Sequence, residues 1–164
     1  MKLKKLLFVF CLLSLTLSAC AGATLPNESP LTREDQAEIV RLTLERALVD
    51  QEVPDYQLIK DKKNIVLSMA NIDVSLIPTL PGINLIPLTR EEIQAKANSE
   101  GDFLYLEFIE IEAESDAKAT ASLGNTWAVA EDSETLYLSG GGFTIEYTKN
   151  ADGWLSEVVA IWMS

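Results

Sequence analysis

Apolar residues recur at helical spacing between residues 37 and 48. Their separations of three and four positions are those of one face of an α-helix. Thr32, with the acidic Asp35 three positions later, offers an N-cap hydroxyl, and Pro54 sets the end of the helix near residue 50. The residues of this stripe are Ala37, Val40, Leu44, Ala47 and Leu48. The pattern predicts an amphipathic helix whose apolar stripe needs a sheet to cover it.

Shorter elements are expected between residues 51 and 101. Residues 56–59 and 64–70 are strand candidates, separated by a charged turn. Residues 71–88 contain several prolines, which argue for an extended loop rather than a central strand. The sequence Thr89-Arg90-Glu91-Glu92 has the form of a capping box and predicts a second helix that ends by Gly101.

The last third of the chain is dense in strand signals. Strands are predicted near residues 102–114, 117–130, 134–148 and 154–163. Because the turns between them are short, consecutive strands should pair as an antiparallel meander.

Two of these strands change face along their length. In the first, the apolar series Leu104, Leu106 and Phe108 gives way to Ile109 and Ile111. In the third, the apolar residues move from even to odd positions across residues 140–142, which are all glycine, and a β-bulge there would restore one apolar face. These changes predict an α+β fold in which a long N-terminal helix packs in a strongly curved antiparallel sheet, forming a cone.

The first twenty residues have a different pattern. Lys2, Lys4 and Lys5 precede an uncharged apolar run, residues 6–17, which ends in Leu17-Ser18-Ala19-Cys20. A basic start, an apolar centre and small residues before a cleavage point are the parts of a secretory signal. The order resembles the lipobox of bacterial lipoproteins and predicts a signal peptide at 1–19, a lipidated Cys20 with a tether at 20–31, and a domain at 32–164. An ordinary signal peptide and an uncleaved membrane-spanning anchor are the alternatives.

The lipoprotein resemblance implies a location in the cell. In that family the cysteine thiol carries diacylglycerol and the new amino terminus is often acylated as well, with fatty acids such as palmitate. Two acyl chains suffice for stable anchoring. Ala21 stands where many family members retained at the inner membrane have Asp. We therefore expect the outer membrane, facing the periplasm, in a diderm cell, and otherwise the outer face of the plasma membrane.

Composition narrows the chemistry of the exported domain. The chain has no histidine, and Cys11 would leave with the signal, so serine–histidine, cysteine–histidine and histidine–zinc chemistry are excluded. Removing the three signal lysines from 13 basic residues leaves 10 against 25 acidic ones, a formal charge of −15. Such a surface disfavours nucleic acid. The sequence indicates no cofactor and no metal site.

The element order resembles the nuclear-transport-factor-2-like (NTF2-like) proteins, which overlap the cystatin-like folds. The resemblance covers residues 32–163, and residues 138–162 also look like uncharacterised exported bacterial proteins of this fold. Some NTF2-like relatives are ketosteroid-isomerase-like enzymes with a carboxylate base and tyrosine donors. Glu107 is the one carboxylate that interrupts the apolar odd-numbered row of residues 103–111. With that resemblance it becomes a candidate catalytic base, with Tyr105 and Tyr147 as donors. The resemblance also makes Trp127 and Phe143 candidates for lining a ligand pocket.

Each of these residues also has a structural interpretation. The change of face near residues 107–109 could turn Glu107 outward, and large aromatic residues on strands are usually core. The alternating Glu110, Glu112 and Glu114 are most simply a solvated strand face, although carboxylates could bind Ca²⁺.

Two classes of function remain. The first is a non-catalytic envelope module that binds an unknown envelope protein or small ligand. The second is a pocket enzyme with a carboxylate base, and inhibition of an envelope hydrolase is a third hypothesis from fold analogy alone. The apolar residues 158–163 could form a homodimer surface.

Overall fold

The computed structural model describes residues 30–137 and 140–163, and these form an α+β fold with two α-helices and a six-stranded sheet. The predicted signal peptide, Cys20 and most of the predicted tether lie outside the described residues. The helices are α1 (Arg33–Leu48) and α2 (Arg90–Glu100). The strands are β1 (Asn64–Ser68), β2 (Asn84–Leu88), β3 (Phe103–Ser115), β4 (Lys118–Ala128), β5 (Gly141–Asn150) and β6 (Gly153–Met163).

Both helices begin where their capping residues predict. The side chain of Thr32 accepts a hydrogen bond from the Asp35 amide at 3.1 Å, and Thr89 and Glu92 form the reciprocal capping box of α2. These bonds satisfy amide groups that a helix leaves free at its first turn. The predicted end of the first helix near residue 50 and of the second by Gly101 are confirmed.

The sheet is mixed, so the prediction of a purely antiparallel sheet is wrong. Its strand order is β2-β1-β3-β4-β5-β6; β1 runs parallel to both β2 and β3, and the remaining pairs are antiparallel. One part of the error is the parallel pairing of β1 with β3. The other part is β2, which occupies a segment predicted to be a loop because of its prolines. Pro87 is compatible with β2 because this strand is at the edge of the sheet, where one side of the backbone makes no ladder bonds.

Two other strand predictions are also wrong. Residues 56–59 contain the 3₁₀ turn Tyr56–Leu58, and the third predicted strand begins only at Gly141 instead of at residue 134. Leu136, counted as part of that strand's apolar face, is 82% exposed. The alternation was therefore misleading, because residues 134–137 lie outside the strands and Ser133 and Tyr137 bond to Asp102.

Each helix covers a different face of the sheet. The face toward α1 holds the large core, which includes Leu44, Phe108, Leu123 and Tyr147. The face toward α2 holds a small cluster of fully buried residues. Its members are Val66, Ile93, Ala97 and Ala128.

The predicted change of face in the first long strand is confirmed. The β3–β4 register shifts between Phe108 and Glu110, so Leu106 and Phe108 face the large core before the shift, and Ile111 packs against it afterwards. The predicted bulge at residues 140–142 is wrong, because the β4–β5 register continues without interruption from Gly141 to Thr148. A second shift lies in the β5–β6 pair, where Val159 of β6 is the extra residue. The α+β class is confirmed, whereas closure of the sheet into a cone stays a prediction.

Candidate functional site

Glu107 lies on the face of the sheet that α2 covers, away from the large core. Oε1 accepts a hydrogen bond from Nη2 of Arg90 at 3.0 Å, and the Arg90 side chain is largely exposed. Oε2 is buried and has no hydrogen-bond partner among the described residues. A buried oxygen without a donor costs free energy, so Glu107 is the least satisfied carboxylate of this site.

Tyr105 shares this face with Glu107, two residues away along β3. Burial raises the pKa of the Tyr105 phenol, and the negative charge of Glu107 raises it further. The ring packs edge-on against Phe103 at 6.5 Å between centroids. Tyr105 therefore stays protonated near neutral pH and is a potential hydrogen-bond donor beside Glu107.

Tyr147 lies on the other side of the sheet. Its ring is fully buried in the large core, and its hydroxyl is 2.8 Å from Oγ1 of Thr43. Since the Thr43 hydroxyl donates to the Ile39 carbonyl, Tyr147 is the donor in this pair. Burial raises the pKa of Tyr147 to about 12. The sheet thus separates Tyr147 from Glu107, and the candidate base and its two donors do not form one site.

The two candidate pocket residues have packing partners on the α1 side. Phe143 is buried in the large core. Trp127 packs against the edge of that core and stacks on the ring of Tyr137, with 3.8 Å between centroids and 13° between planes. Both side chains are therefore in contact with other parts of the described protein.

Asp102 holds the connection between β4 and β5, a role that the sequence did not indicate. Its carboxylate accepts hydrogen bonds from the Ala130 amide at 2.7 Å, the Ser133 hydroxyl at 2.7 Å and the Tyr137 hydroxyl at 2.9 Å. The amide of Ala130, followed by the Ser133 hydroxyl, lowers the pKa of Asp102. No spacing rule predicts these bonds, because their donors are 28–35 residues away.

Asp35 forms a second cluster that the sequence did not indicate. Asp35 lies in the first turn of α1. Its Oδ1 accepts hydrogen bonds from Nζ of Lys149 at 2.5 Å and from Nε1 of Trp154 at 3.0 Å. The hydrogen bond from Lys149 is the main reason why the pKa of Asp35 lies below its usual value. Asp35 is buried, so this cluster joins the start of α1 to the β5–β6 hairpin.

A cavity of about 250 Å³ lies where α2 ends and β3 begins. Lys60, Lys96 and Asp102 contribute charge to its wall, and Val66 and Phe103 contribute apolar surface. The Lys96 ammonium pairs with Glu100 at 2.6 Å and lies 5.8 Å from the centre of the Phe103 ring. Asp61 and Glu100 also line the cavity, so its wall is mixed in charge and has one more acidic than basic residue.

The other three glutamates of β3 lie at positions 110, 112 and 114 and are exposed. Lys118 bridges Glu114 at 3.1 Å and Glu146 at 3.0 Å. Within residues 30–137 and 140–163, no group of three or more acidic residues is placed to hold a metal ion.

No model of a protein family matches this chain, and neither curated proteins nor solved structures gave a match. In the part of the chain that the structure describes, no helix combines the length and apolar character needed to span a membrane.

Proposed function

We propose that this protein is a lipid-anchored, non-catalytic module of the bacterial cell envelope that binds a protein or small ligand or supports assembly. The observation that carries the proposal is the order of residues 2–20, in which a basic start, an apolar run and Leu17-Ser18-Ala19-Cys20 follow one another. Lipid on Cys20 would hold the domain at the outer membrane, facing the periplasm, in a diderm cell, or at the outer face of the plasma membrane.

The arrangement of the candidate catalytic residues favours binding over catalysis. A general base and a hydroxyl donor must reach the same substrate atoms, yet Glu107 and Tyr147 lie on opposite faces of the sheet. Phe143, Phe108 and Tyr147 are buried in the core on the α1 side, so the Tyr147 hydroxyl lies in packed protein.

Metabolic labelling with a palmitate analogue tests the anchor. Cys20→Ala is expected to abolish the label and to accumulate uncleaved precursor, because the thiol that accepts lipid is gone. Cys11→Ala is the matched control and should keep the label, since Cys11 lies within the signal. Label that persists in Cys20→Ala would contradict the proposal. An unlabelled soluble wild-type chain would favour the ordinary signal peptide, and an unlabelled, uncleaved membrane chain would favour the spanning anchor.

Partners can be sought in detergent extracts of the same membranes. The full chain is recovered by affinity, and whatever co-purifies with it is identified and compared with what co-purifies with Cys20→Ala. A partner that depends on the anchor would support an envelope assembly role. A small ligand released on denaturation of the purified chain would support a binding role.

A pocket enzyme that uses Glu107 is the second candidate. Its one specific support is the buried Oε2 of Glu107, which lacks a partner within residues 30–137 and 140–163 and has Tyr105 on the same face of β3. If this interpretation holds, Glu107→Gln should abolish isomerase or dehydratase turnover of an active substrate, whereas Tyr147→Phe should not. Equal turnover in Glu107→Gln and the wild type would exclude it.

We also propose that the fold is NTF2-like. The position of α1 against one face of the sheet and the register shifts in β3 and β6 support this assignment. An experimental structure in which β3 to β6 curl around α1 would establish it, and a flat sheet would argue against it.

A further inference from the structure

The two edges of the sheet differ in how far they are protected against further pairing. β2 forms one edge, has five residues and contains Pro87. β6 forms the other edge, has eleven residues and contains no proline. Short length and proline are devices by which proteins block edge-to-edge association. The edge at β6 lacks both of them.

Two residues in the first half of β6, Trp154 and Ser156, bond to α1. Nη1 of Arg46 donates to the carbonyl of Ser156 at 3.4 Å and to its hydroxyl at 3.2 Å. The register shift at Val159 then separates this half from the end of the strand. The part of β6 from the shift to its end is residues 159–163, which we call the terminal segment.

The terminal segment is apolar and exposed. Val159 is 53% exposed, Ile161 67% and Met163 77%, and no residue of the segment carries a charge. Ile161 stands opposite Phe143, so its side chain continues the face that holds the large core. Among the described residues, none pairs with the outer side of this strand.

We propose that the terminal segment pairs antiparallel with the same segment of a second copy of this chain, about a two-fold axis at Ile161. In this register Val159 stands opposite Met163 of the second copy, and Ala160 stands opposite Trp162. Every cross-strand pair is apolar, so the segment can pair with an identical segment. Pairing would extend the sheet across both copies and cover the exposed side chains.

Charge favours a second copy at this place over other places on the surface. The chain carries a formal charge of −12, so most surface patches of two copies repel each other. The outward residues of β3, for instance, include Glu110, Glu112 and Glu114. Glu157 is the one charged residue of β6, and the proposed register leaves it outside the paired segment.

Disulfide cross-linking in membranes that contain the full chain tests the register. Residues opposite each other in antiparallel strands have Cα atoms about 4.5 or 5.5 Å apart, and both separations suit a disulfide. Ile161→Cys on the two-fold axis is therefore expected to give a covalent dimer under mild oxidation. Ile109→Cys, 50% exposed on β3 in the interior of the sheet, should stay monomeric.

The parent chain without an added cysteine separates this test from the test of the anchor. If Cys20 were not acylated, its free thiol would allow the parent chain to cross-link as well. That result would contradict the proposed lipidation and would say nothing about pairing at β6. No dimer from Ile161→Cys above the parent level would overturn the proposal. A cross-link to a different protein would overturn it as well, because another strand would then occupy the edge.

A charge at the same position provides the second measurement. Ile161→Lys should raise the dissociation constant for self-association of the full chain in detergent by at least about tenfold, because two ammonium groups would face each other. Val74→Lys is the matched control, since Val74 is 53% exposed and lies in a 3₁₀ turn away from the edge. Circular dichroism should show the same fold in both variants. Equal association of the two variants would contradict the proposal.

Discussion

The two faces of the sheet differ in how completely they are closed. On the α1 face, Phe108 and Tyr147 are fully buried, and the buried hydroxyl groups of Tyr147 and Thr43 are hydrogen-bonded. On the α2 face, Phe103 and Tyr105 are only partly buried. Glu107, on the same face, has one oxygen paired and one that has no partner in the described part of the chain.

The difference follows from the two helices. α1 has sixteen residues and buries seven of them, whereas α2 has eleven and buries Ile93 and Ala97. A longer apolar stripe covers more of a sheet and removes more area from water. The α1 face therefore supplies most of the stability, and the α2 face is where charged and aromatic groups remain accessible.

Truncation of one phenylalanine on each face should give the largest contrast. Phe108→Ala is expected to lower the free energy of unfolding by about 3–5 kcal/mol, because it leaves a cavity in a closed core. Phe103→Ala should cost less, since its ring is partly exposed and its neighbours can relax. Urea unfolding of both variants measures the difference. Equal losses would mean that the two faces are equally closed.

The Asp35 cluster gives a prediction with a defined pH dependence. Asp35→Asn should cost about 1–2 kcal/mol near neutral pH, because it weakens partly buried hydrogen bonds from Lys149 and Trp154. Folding lowers the pKa of Asp35 from 3.8, so its charge contributes fully above that pH and is lost as the pH falls through the folded value. The difference between wild type and variant should therefore shrink below about pH 4.

Unfolding measured at a series of pH values checks this prediction. Asp61→Asn is a suitable control, because Asp61 is an exposed carboxylate with a lowered pKa that does not join a helix to the sheet. A difference between wild type and Asp35→Asn that stays constant into acid would show that the charge of Asp35 is not the source of its effect.

Removal of the Tyr147 hydroxyl should have a smaller effect. Tyr147→Phe is expected to cost about 1 kcal/mol, because Thr43 keeps its bond to the Ile39 carbonyl and loses one donor. Because the pKa of Tyr147 is about 12, this phenol ionises at the most alkaline pH. The tyrosine absorbance change in that pH range should therefore be smaller in the variant. Titration by ultraviolet absorbance measures that change. An unaltered titration curve would contradict the assignment.

Glu107→Gln should have the smallest effect on stability. Arg90 is largely exposed, and exposed ion pairs contribute up to about 1 kcal/mol. The glutamine side chain keeps the shape of Glu107, and its amide nitrogen can donate a hydrogen bond, which Oε2 cannot. Thermal unfolding should therefore change little. A loss as large as that of Phe108→Ala would place Glu107 among the main determinants of the fold.

Local signals in the sequence predicted a good part of the fold. Thr32 and Thr89 marked the helix starts because an N-cap hydroxyl acts within three residues. The apolar series Leu106, Phe108 and Ile111 marked the shift in β3, since a strand must keep one face toward the core. Pro87 and Leu136 were misread because the same residues suit an edge strand or a loop, and only the neighbours in space decide which.

The candidate site was predicted less well than the fold. The interruption of an apolar row at Glu107 identified an unusual carboxylate, but its partner Arg90 lies on α2 and its face depends on the β3 register. Asp35 appeared to be a helix-capping acid, yet its strongest partner, Lys149, is 114 residues away. Alternation along a strand shows which residues share a face of the sheet. It does not show which helix packs against that face.

The sequence by itself determined the helix starts, the strand periodicity, the shift at Phe108 and the absence of histidine, since each depends on composition or on neighbours along the chain. Tertiary structure alone decided the mixed strand order, the separation of Glu107 from Tyr147 and the exposure of β6. It also explains Gly142, where a Cβ atom would lie 2.4 Å from both the Leu123 carbonyl oxygen and the ring of Trp162. These features depend on contacts between distant segments, which no local pattern encodes.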